Sequence, residues 1–289
     1  MSLINIPPHK STVIITNSNS YRYIKKDIVL PDNIQGISTE AFIKQKVIRS
    51  IAMPSSLERI GARAFFQCAN LKEANIPAAV HKMGISAFAE CTSLEKAVMP
   101  SHLQKIPRET FSGDKKLKTV IFPELCETIS IGHSAFFECL SLEAINLPES
   151  LMIINDRAFY RCKGLRTLHF PKKLKRVGTY AFYFSSLDSL ELPDTLQSIG
   201  ESAFFKCKYL TEVELPTSVK YIGKWVFHGC DRLKYLTIRH DPDFIGEWII
   251  NKAATIRCYE GSVVDEYCQT NGLKTEYLEG EMPESFRKS

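Results

Sequence analysis

The sequence predicts a strand-rich α/β solenoid, a stack of short coils rather than a domain built around one centre. Two observations carry this. Phenylalanines recur at Phe42, Phe65, Phe88, Phe111, Phe136, Phe159, Phe182, Phe204 and Phe227, and seven of the eight intervals lie within one residue of 23. Prolines at Pro31, Pro54, Pro77, Pro100, Pro123, Pro148, Pro171, Pro193 and Pro216 keep the same beat, twelve residues after the phenylalanine in most units. One supersecondary unit repeated about nine times settles the architecture before any local reading, because each unit buries its apolar sides only against its neighbours. The question of function then moves from a catalytic pocket to an extended surface.

Taken in chain order, residues 1–27 match nothing in the repeat and are expected to form an N-terminal cap. The repeat proper covers 28–238, about nine coils. Its unit is clearest from Ala158 to Gly178, which reads A-F-x-x-C-x-x-L-x-x-L-x-F-P-x-x-L-x-x-V-G. Leu165 to Phe170 ends in apolar/polar alternation, the pattern of a half-buried strand. Pro171 has no amide to donate, so regular pairing should stop there. Leu174 and Val177 face inward again along a short second extended piece. Gly178 reads as a corner that needs a positive φ. Ala158, Phe159 and Cys162 stand at i, i+1 and i+4, which fits one helical or 3₁₀ turn closing the coil. Residues 239–278 form the expected C-terminal cap, and 279–289 are polar and expected to fray.

Composition agrees with a folded protein: 44% hydrophobic residues can fill a long interior, and 24% charged residues can cover it. A net charge of +5 spread over many units does not by itself call for nucleic acid. No run reaches the length of a membrane span. The segment Met1 to Pro8 lacks the basic region and apolar stretch of an export signal. Either the chain stays inside the cell, or such a signal was removed, and both are carried forward.

The pattern resembles the BspA-type leucine-rich repeat, with eight or nine copies at fixed spacing over roughly 28–238. The segment Ile256-Arg257-Cys258-Tyr259-Glu260-Gly261-Ser262, with Tyr267, Asn271-Gly272 and Tyr277, resembles the closing module of such proteins. The resemblance implies a right-handed solenoid with one parallel strand per coil, capped at both ends. A helix and a final strand would cover the open end of the core. It also implies adhesion or protein recognition, and no catalysis.

Departures from the pattern single out particular coils. The fourth has Thr110 for alanine, Asp114 for cysteine and two extra residues within Leu125 to Gly132. The seventh is one residue short and has Ser185 for cysteine. The ninth reads Val226-Phe227 and lacks a proline after Ile238.

Candidate chemistry is sparse. Cys68, Cys91, Cys139, Cys162, Cys207 and Cys230 occupy one ladder position. Coils about 4.8 Å apart place neighbouring Cα atoms within disulfide range. Side chains stacked in register point the same way, however, so these read as small buried thiols. Cys126, Cys258 and Cys268 lie outside the ladder and are open to pairing or reactivity. There is no Cys-x-x-Cys for zinc, and no metal or cofactor is expected. The seven histidines fall on different phases of the repeat, and no nucleophile, phosphate or metalloprotease motif is present, so no catalytic residues are assigned.

The sheet face is the expected recognition surface. Its outward positions lie four and two residues before each proline or its equivalent. From these come the candidate partner-binding residues Val98, Ile121, Thr119, Asn146, His169, Glu191, Glu212, Glu214 and Tyr235. Val98 and Ile121 make an apolar spot, and Glu191, Glu212 and Glu214 an acidic zone. An aromatic row (Phe66, Phe137, Tyr160, Tyr183 and Phe205, widened by Tyr180 and Phe184) reads first as a shield over the turn and second as a ligand anchor. Repeat six carries Arg157, Arg161, Lys163, Arg166, Lys172, Lys173, Lys175 and Arg176 against one acid, Asp156. These are spread around the coil and read as a solvated edge, with an acidic partner as the alternative.

The expected function is therefore a non-catalytic protein-binding scaffold, in its specific form an adhesin-like protein directed at a host or matrix protein. An intracellular interaction module is the alternative, and an enzyme assembled across coils the outside reading. Protein is the expected partner class, glycan the second. Nucleic acid is not expected, and the chain should be a monomer.

Overall fold

The computed structural model of the chain describes residues 13–284. The Met1 to Pro8 segment, His9 and the last five residues of the expected tail lie outside the described residues. The chain winds into a parallel β-solenoid of about 12 turns, spaced about 23 residues apart.

The strand expected before each proline is present in most coils. In one block Glu73–Asn75, Lys96–Val98, Thr119–Ile121 and Ala144–Ile145 pair in parallel, and Glu73, Lys96, Thr119 and Ala144 share one column. In another, Glu212–Leu215, Tyr235–Ile238, Thr255–Cys258 and Lys274–Tyr277 do the same. The second extended piece pairs as well. Ile131, Ile154, Val177, Ile199 and Ile222 stand in register along a second parallel ladder. Each such coil thus contributes two short strands, one more than the resemblance implies.

The Ala-Phe turn supplies a third line of bonds between coils. Within the turn, Phe66 N–H donates to the Arg63 carbonyl and Cys68 N–H to the Phe65 carbonyl, both at 3.1 Å, which is the i→i−3 pattern of a 3₁₀ turn. It does not continue as a helix, because Arg63 (φ 53°) and Gln67 (φ 58°) are left-handed. The amides of Arg63, Phe65 and Gln67 instead reach the carbonyls of Ile85, Ala87 and Ala89 in the next coil, at 2.8–2.9 Å. The same two positions around the phenylalanine recur as left-handed residues coil after coil, and only Gly113 and Gly229 are glycine there.

The glycine that closes each unit corrects the sequence reading. Gly178 does not have a positive φ, and neither do Gly61, Gly84, Gly132, Gly200, Gly223 or Gly246. What excludes a side chain is the preceding coil. A Cβ on Gly200 would sit 2.6 Å from the Gly178 carbonyl carbon, and one on Gly223 would sit 2.6 Å from that of Gly200. The glycines stack against one another because the backbones approach this closely. Gly200→Ala should therefore lower stability by about 1–3 kcal/mol, the usual range for overpacking. Urea denaturation checks this, and an unshifted midpoint would remove the close-approach explanation.

Inside, the nine repeat phenylalanines form one stacked column, wholly buried, with neighbouring ring centroids 5.0–5.7 Å apart. At the C-terminal end the helix Val263–Asn271 lies over the core with Val264 and Cys268 buried. Its start is capped by the Ser262 hydroxyl, which accepts from Asp265 N–H at 3.1 Å. Its end is turned by Gly272 at φ 60°. Lys274–Tyr277 then pairs with Thr255–Cys258 as the final strand. At the other end Val13–Ile15 pairs with Ile34–Ile37, so residues within the expected N-terminal cap continue the second ladder.

Candidate functional site on the sheet face

The outward columns form as the alternation requires. Val98 and Ile121 are register partners, giving the expected apolar pair, with Ile121 36% exposed and Val98 half-buried. Beyond Ala144–Ile145 the sheet changes character. No strand forms at 167–170 or 189–192, and pairing resumes only at Glu212–Leu215. Across these intervals, on this face, a single backbone bond is found among the described residues, from Asp188 N–H to the Arg166 carbonyl at 3.1 Å.

Asn146 stands at the edge of the opening. Its Oδ1 accepts from Phe122 N–H at 3.1 Å and its Nδ2 donates to the Phe122 carbonyl at 3.0 Å, so an amide side chain replaces a backbone partner there. The core below loosens with the sheet. Ile145, Leu147, Leu168 and Leu190 are 8–9% exposed, against 1% for Val120 in the paired block.

The opening is a shallow depression of about 570 Å³, and Thr119, Ile121, Asn146, His169 and Glu191 all line it, together with Glu143, Thr167 and Ser189. The structure thus gathers five of the expected residues. It does not bring in the other acidic and aromatic ones. Glu214 is ion-paired with Arg239 at 2.8 Å. Tyr235 lies under the Arg257 guanidinium, 3.6 Å from its ring centroid, and Arg257 is itself paired with Glu276 at 2.8 Å. Glu212 is exposed but belongs to the separate C-terminal block. Glu143 was not singled out from sequence. The signal that pointed here was the pair of irregular coil lengths, 25 residues from Phe111 to Phe136 and 22 from Phe182 to Phe204, which flank the opening.

The other candidates resolve into structural roles. All nine cysteines are free thiols. Each ladder thiol donates to the carbonyl of the phenylalanine in the preceding coil, from Cys68 to Phe42 through Cys230 to Phe204, at 3.0–3.3 Å. Burial pushes the Cys68 and Cys207 thiols up to about 12, which removes the thiolate needed for reactivity. Cys258 and Cys268 are buried together in the cap. A thiol–thiol hydrogen bond between them pushes Cys258 up and Cys268 down. Cys126 contacts the Thr128 hydroxyl at 3.3 Å. Where cysteine is missing, Ser185 meets the Cys207 thiol at 3.3 Å. Asp114 is wholly buried: Oδ1 accepts from Cys91 N–H at 2.7 Å, and Oδ2 has no partner. Burial holds its carboxyl far above the usual carboxylate range, with Glu90 adding to the shift and the Cys91 amide opposing it.

The aromatic row stacks on itself. Phe137, Tyr160, Tyr183 and Phe205 follow one another at 4.9, 4.7 and 5.2 Å, and His228 ends the row at 5.8 Å. Those faces cover one another and the turn beneath. The basic residues of repeat six divide: Arg161 pairs with Glu138 at 2.8 Å, Arg176 with Asp156 at 3.4 Å, and Arg157 lies over Tyr180. Among the described residues no group of three or more His, Cys, Asp or Glu side chains could hold a metal ion. Among the same residues no helix is long and apolar enough to cross a membrane.

Comparison with known proteins agrees with this architecture. A family profile described as BspA type leucine rich repeat region matches residues 14–130 and 129–257, in six copies. No curated protein matches the chain. Among solved structures it is similar to a leucine-rich repeat protein from Bacteroides ovatus, at 21% identity and TM-score 0.57, covering 88% of this chain and 84% of that one. It is also similar to a leucine rich cell surface protein from Faecalibacterium prausnitzii, at 24% identity and TM-score 0.53, covering 89% and 88%. At these identities the likeness is one of fold.

Proposed function

The chain belongs to the BspA-type leucine-rich-repeat family, and from that premise we propose that it is a non-catalytic protein-binding scaffold that recognises its partner through the opened middle of the sheet face. The observation that carries this reading is the depression that gathers Thr119, Ile121, Asn146, His169 and Glu191 where strand pairing lapses. Peptide amides and carbonyls left without ladder partners give an extended segment of another protein something to bond. The alternating side chains supply selectivity around the apolar Val98–Ile121 pair. An adhesin-like role at the cell surface is the specific form of this proposal, and a fold neighbour described as a cell surface protein supports it. The nine free thiols favour a second form, an interaction module working in a reducing compartment. Fractionation of the source cells separates the two, since surface-accessible protein excludes the second.

The test of the binding surface is the double variant Ile121→Glu/His169→Glu, which adds two carboxylates to the depression that Glu191 lines without touching the core. Crosslinking capture from the natural environment should recover a partner with the native protein and at least about tenfold less with the variant, roughly 1.4 kcal/mol or more. Equal recovery, with an unchanged thermal midpoint, rejects the sheet-face reading.

A further inference from the structure

Beside the sheet face, where each coil passes from its Ala-Phe turn toward its strand, the structure collects positive charge that the rest of the surface does not answer. Lys163 and Arg166 of the sixth coil and Lys206 and Lys208 of the eighth line one hollow of about 320 Å³. Its floor is Phe184 and Tyr209, and no carboxylate lines it. The three ammonium groups of Lys163, Lys206 and Lys208 lie 5.4, 5.8 and 5.7 Å from the Phe184 ring centroid. The guanidinium groups of Arg166 and Arg232 lie 5.4 and 5.6 Å from that of Tyr209.

The hollow exists because the intervening seventh coil is the short one. It places Ser185 and Ser186 where neighbouring coils carry Cys-Lys pairs, so the long side chains on either side converge over small ones. Of the other basic residues of this region, Arg161 and Arg176 have acidic partners. None of the five in the cluster forms an ion pair within 4.0 Å among the described residues. Two acids stand close by and are engaged elsewhere: Asp188 meets the Ser189 hydroxyl at 3.4 Å, and Asp231, at the same coil position as Lys208, accepts from the Asn251 side-chain amide at 3.5 Å. Like charges held together without a counter-charge oppose folding. The two rings nonetheless hold these cations in place by cation–π attraction. A ready-made array of this kind suits a ligand that brings the missing negative charge.

We propose that this cluster is a docking site for a short acidic peptide segment on a protein partner. The inference rests on the protein-binding reading above but uses a different surface. Four observations select a peptide. The hollow lies at the lower end of ligand-sized cavities, about 300 Å³. From the sixth coil to the eighth it extends about 10 Å along the stack, roughly three residues of extended chain. It is also bounded: Glu143 stands on the fifth coil and Asp231 on the ninth, both exposed, so a long polyanion following the stack would meet like charge at each end. The ring faces are occupied by ammonium and guanidinium groups, which leaves no row of open platforms for nucleic acid bases. What faces outward is a set of lysine and arginine donors, the usual partners of carboxylates.

Fluorescence anisotropy of a fluorescein-labelled glutamate octamer tests the site on the full chain. The native protein should bind it saturably and more weakly as salt is raised. Lys206→Glu/Lys208→Glu should weaken binding by at least about tenfold, while Lys172→Glu/Lys173→Glu, the same charge change elsewhere, should stay within about twofold. Glutamate suits the backbone at position 206, since Glu90 and Glu138 occupy the equivalent left-handed position. Phe184→Gln keeps every charge, has Gln67 as its counterpart in another coil, and should still weaken binding about threefold by releasing the lysines. Ile121→Glu should leave octamer binding unchanged, so failure here and failure of the sheet-face reading give different results. Equal losses in the cluster and control variants would overturn the proposal. So would absence of octamer binding, including the case in which a thymidine oligonucleotide or heparin binds instead.

Discussion

Phe159→Ala is expected to lower the stability of the stack by about 3–5 kcal/mol, the range for emptying a buried aromatic site. The position is chosen for its neighbours. Phe136 and Phe182 lie on either side with ring centroids 5.2 and 5.1 Å away, nearly parallel, so removal of the ring strips contact from both. Relaxation could reduce the cost, but the coil has little freedom to collapse. The amide of Phe159 is bonded to the Ala181 carbonyl at 2.8 Å, its own carbonyl accepts from Cys162 N–H at 3.2 Å, and the second ladder fixes Ile154 against Val177. A cavity held open on several sides keeps most of its penalty. Phe42 makes the contrast, because its one stacked neighbour is Phe65 at 5.3 Å. Phe42→Ala should cost measurably less, since an end coil can adjust toward space that no ring occupies. Urea unfolding of the two variants reads both effects, and an unchanged midpoint for Phe159→Ala refutes the column as the source of stability.

That column was legible in the sequence because a stacked fold repeats its contacts at the period of its residues. The alternating outward positions were legible for the same reason, and Ile121 and His169 were named from spacing alone. What escaped depends on contacts between coils. Gly178 has two physical justifications, a positive φ or the approach of another backbone, and the local pattern cannot separate them. The left-handed turn residues escaped because Arg63 and Gln67 carry no glycine signature; their conformation is imposed by amides that bond the next coil. The opened sheet escaped because Leu165 to Phe170 keeps the same apolar/polar alternation as the paired coils, and the lapse shows only in the missing pairing of 167–170 and 189–192. Tyr235 and Glu214 looked available because Arg257 and Arg239, which engage them, lie outside the repeat pattern. The basic hollow joins Lys163 to Lys208 across a coil whose contribution is the smallness of Ser185 and Ser186.

Asp114→Asn and Asp114→Cys should both stabilise the protein at neutral pH, by roughly 3 kcal/mol, the scale on which a carboxyl that titrates differently in the folded and unfolded chain shifts stability. In the ladder this position normally supplies a thiol whose proton goes to the phenylalanine carbonyl of the preceding coil. Asp114 has an acceptor on one side, bonded to Cys91 N–H, and an unpartnered oxygen on the other. A proton on that oxygen restores the missing donor; ionisation leaves a charge enclosed between Cys91 and Cys139, with Glu90 the charged group that adds to its cost. The pH dependence follows with a definite sign. The folded carboxyl titrates well above its unfolded value near 3.8. Below that value both states are protonated and Asp114 does no harm. As pH rises above it, the unfolded chain releases the proton and the folded chain holds it, so stability falls until the folded carboxyl itself ionises. The advantage of Asp114→Asn over the native protein should therefore be small near pH 4 and grow toward neutrality. Asp114→Cys should follow the same course, since a buried thiol stays protonated across that range, as the ladder cysteines do. Urea denaturation of the three proteins at pH 4, 5.5 and 7 measures it. A difference that stays constant with pH would mean that Asp114 carries its charge in the folded stack, with a partner other than the ladder carbonyl to satisfy it.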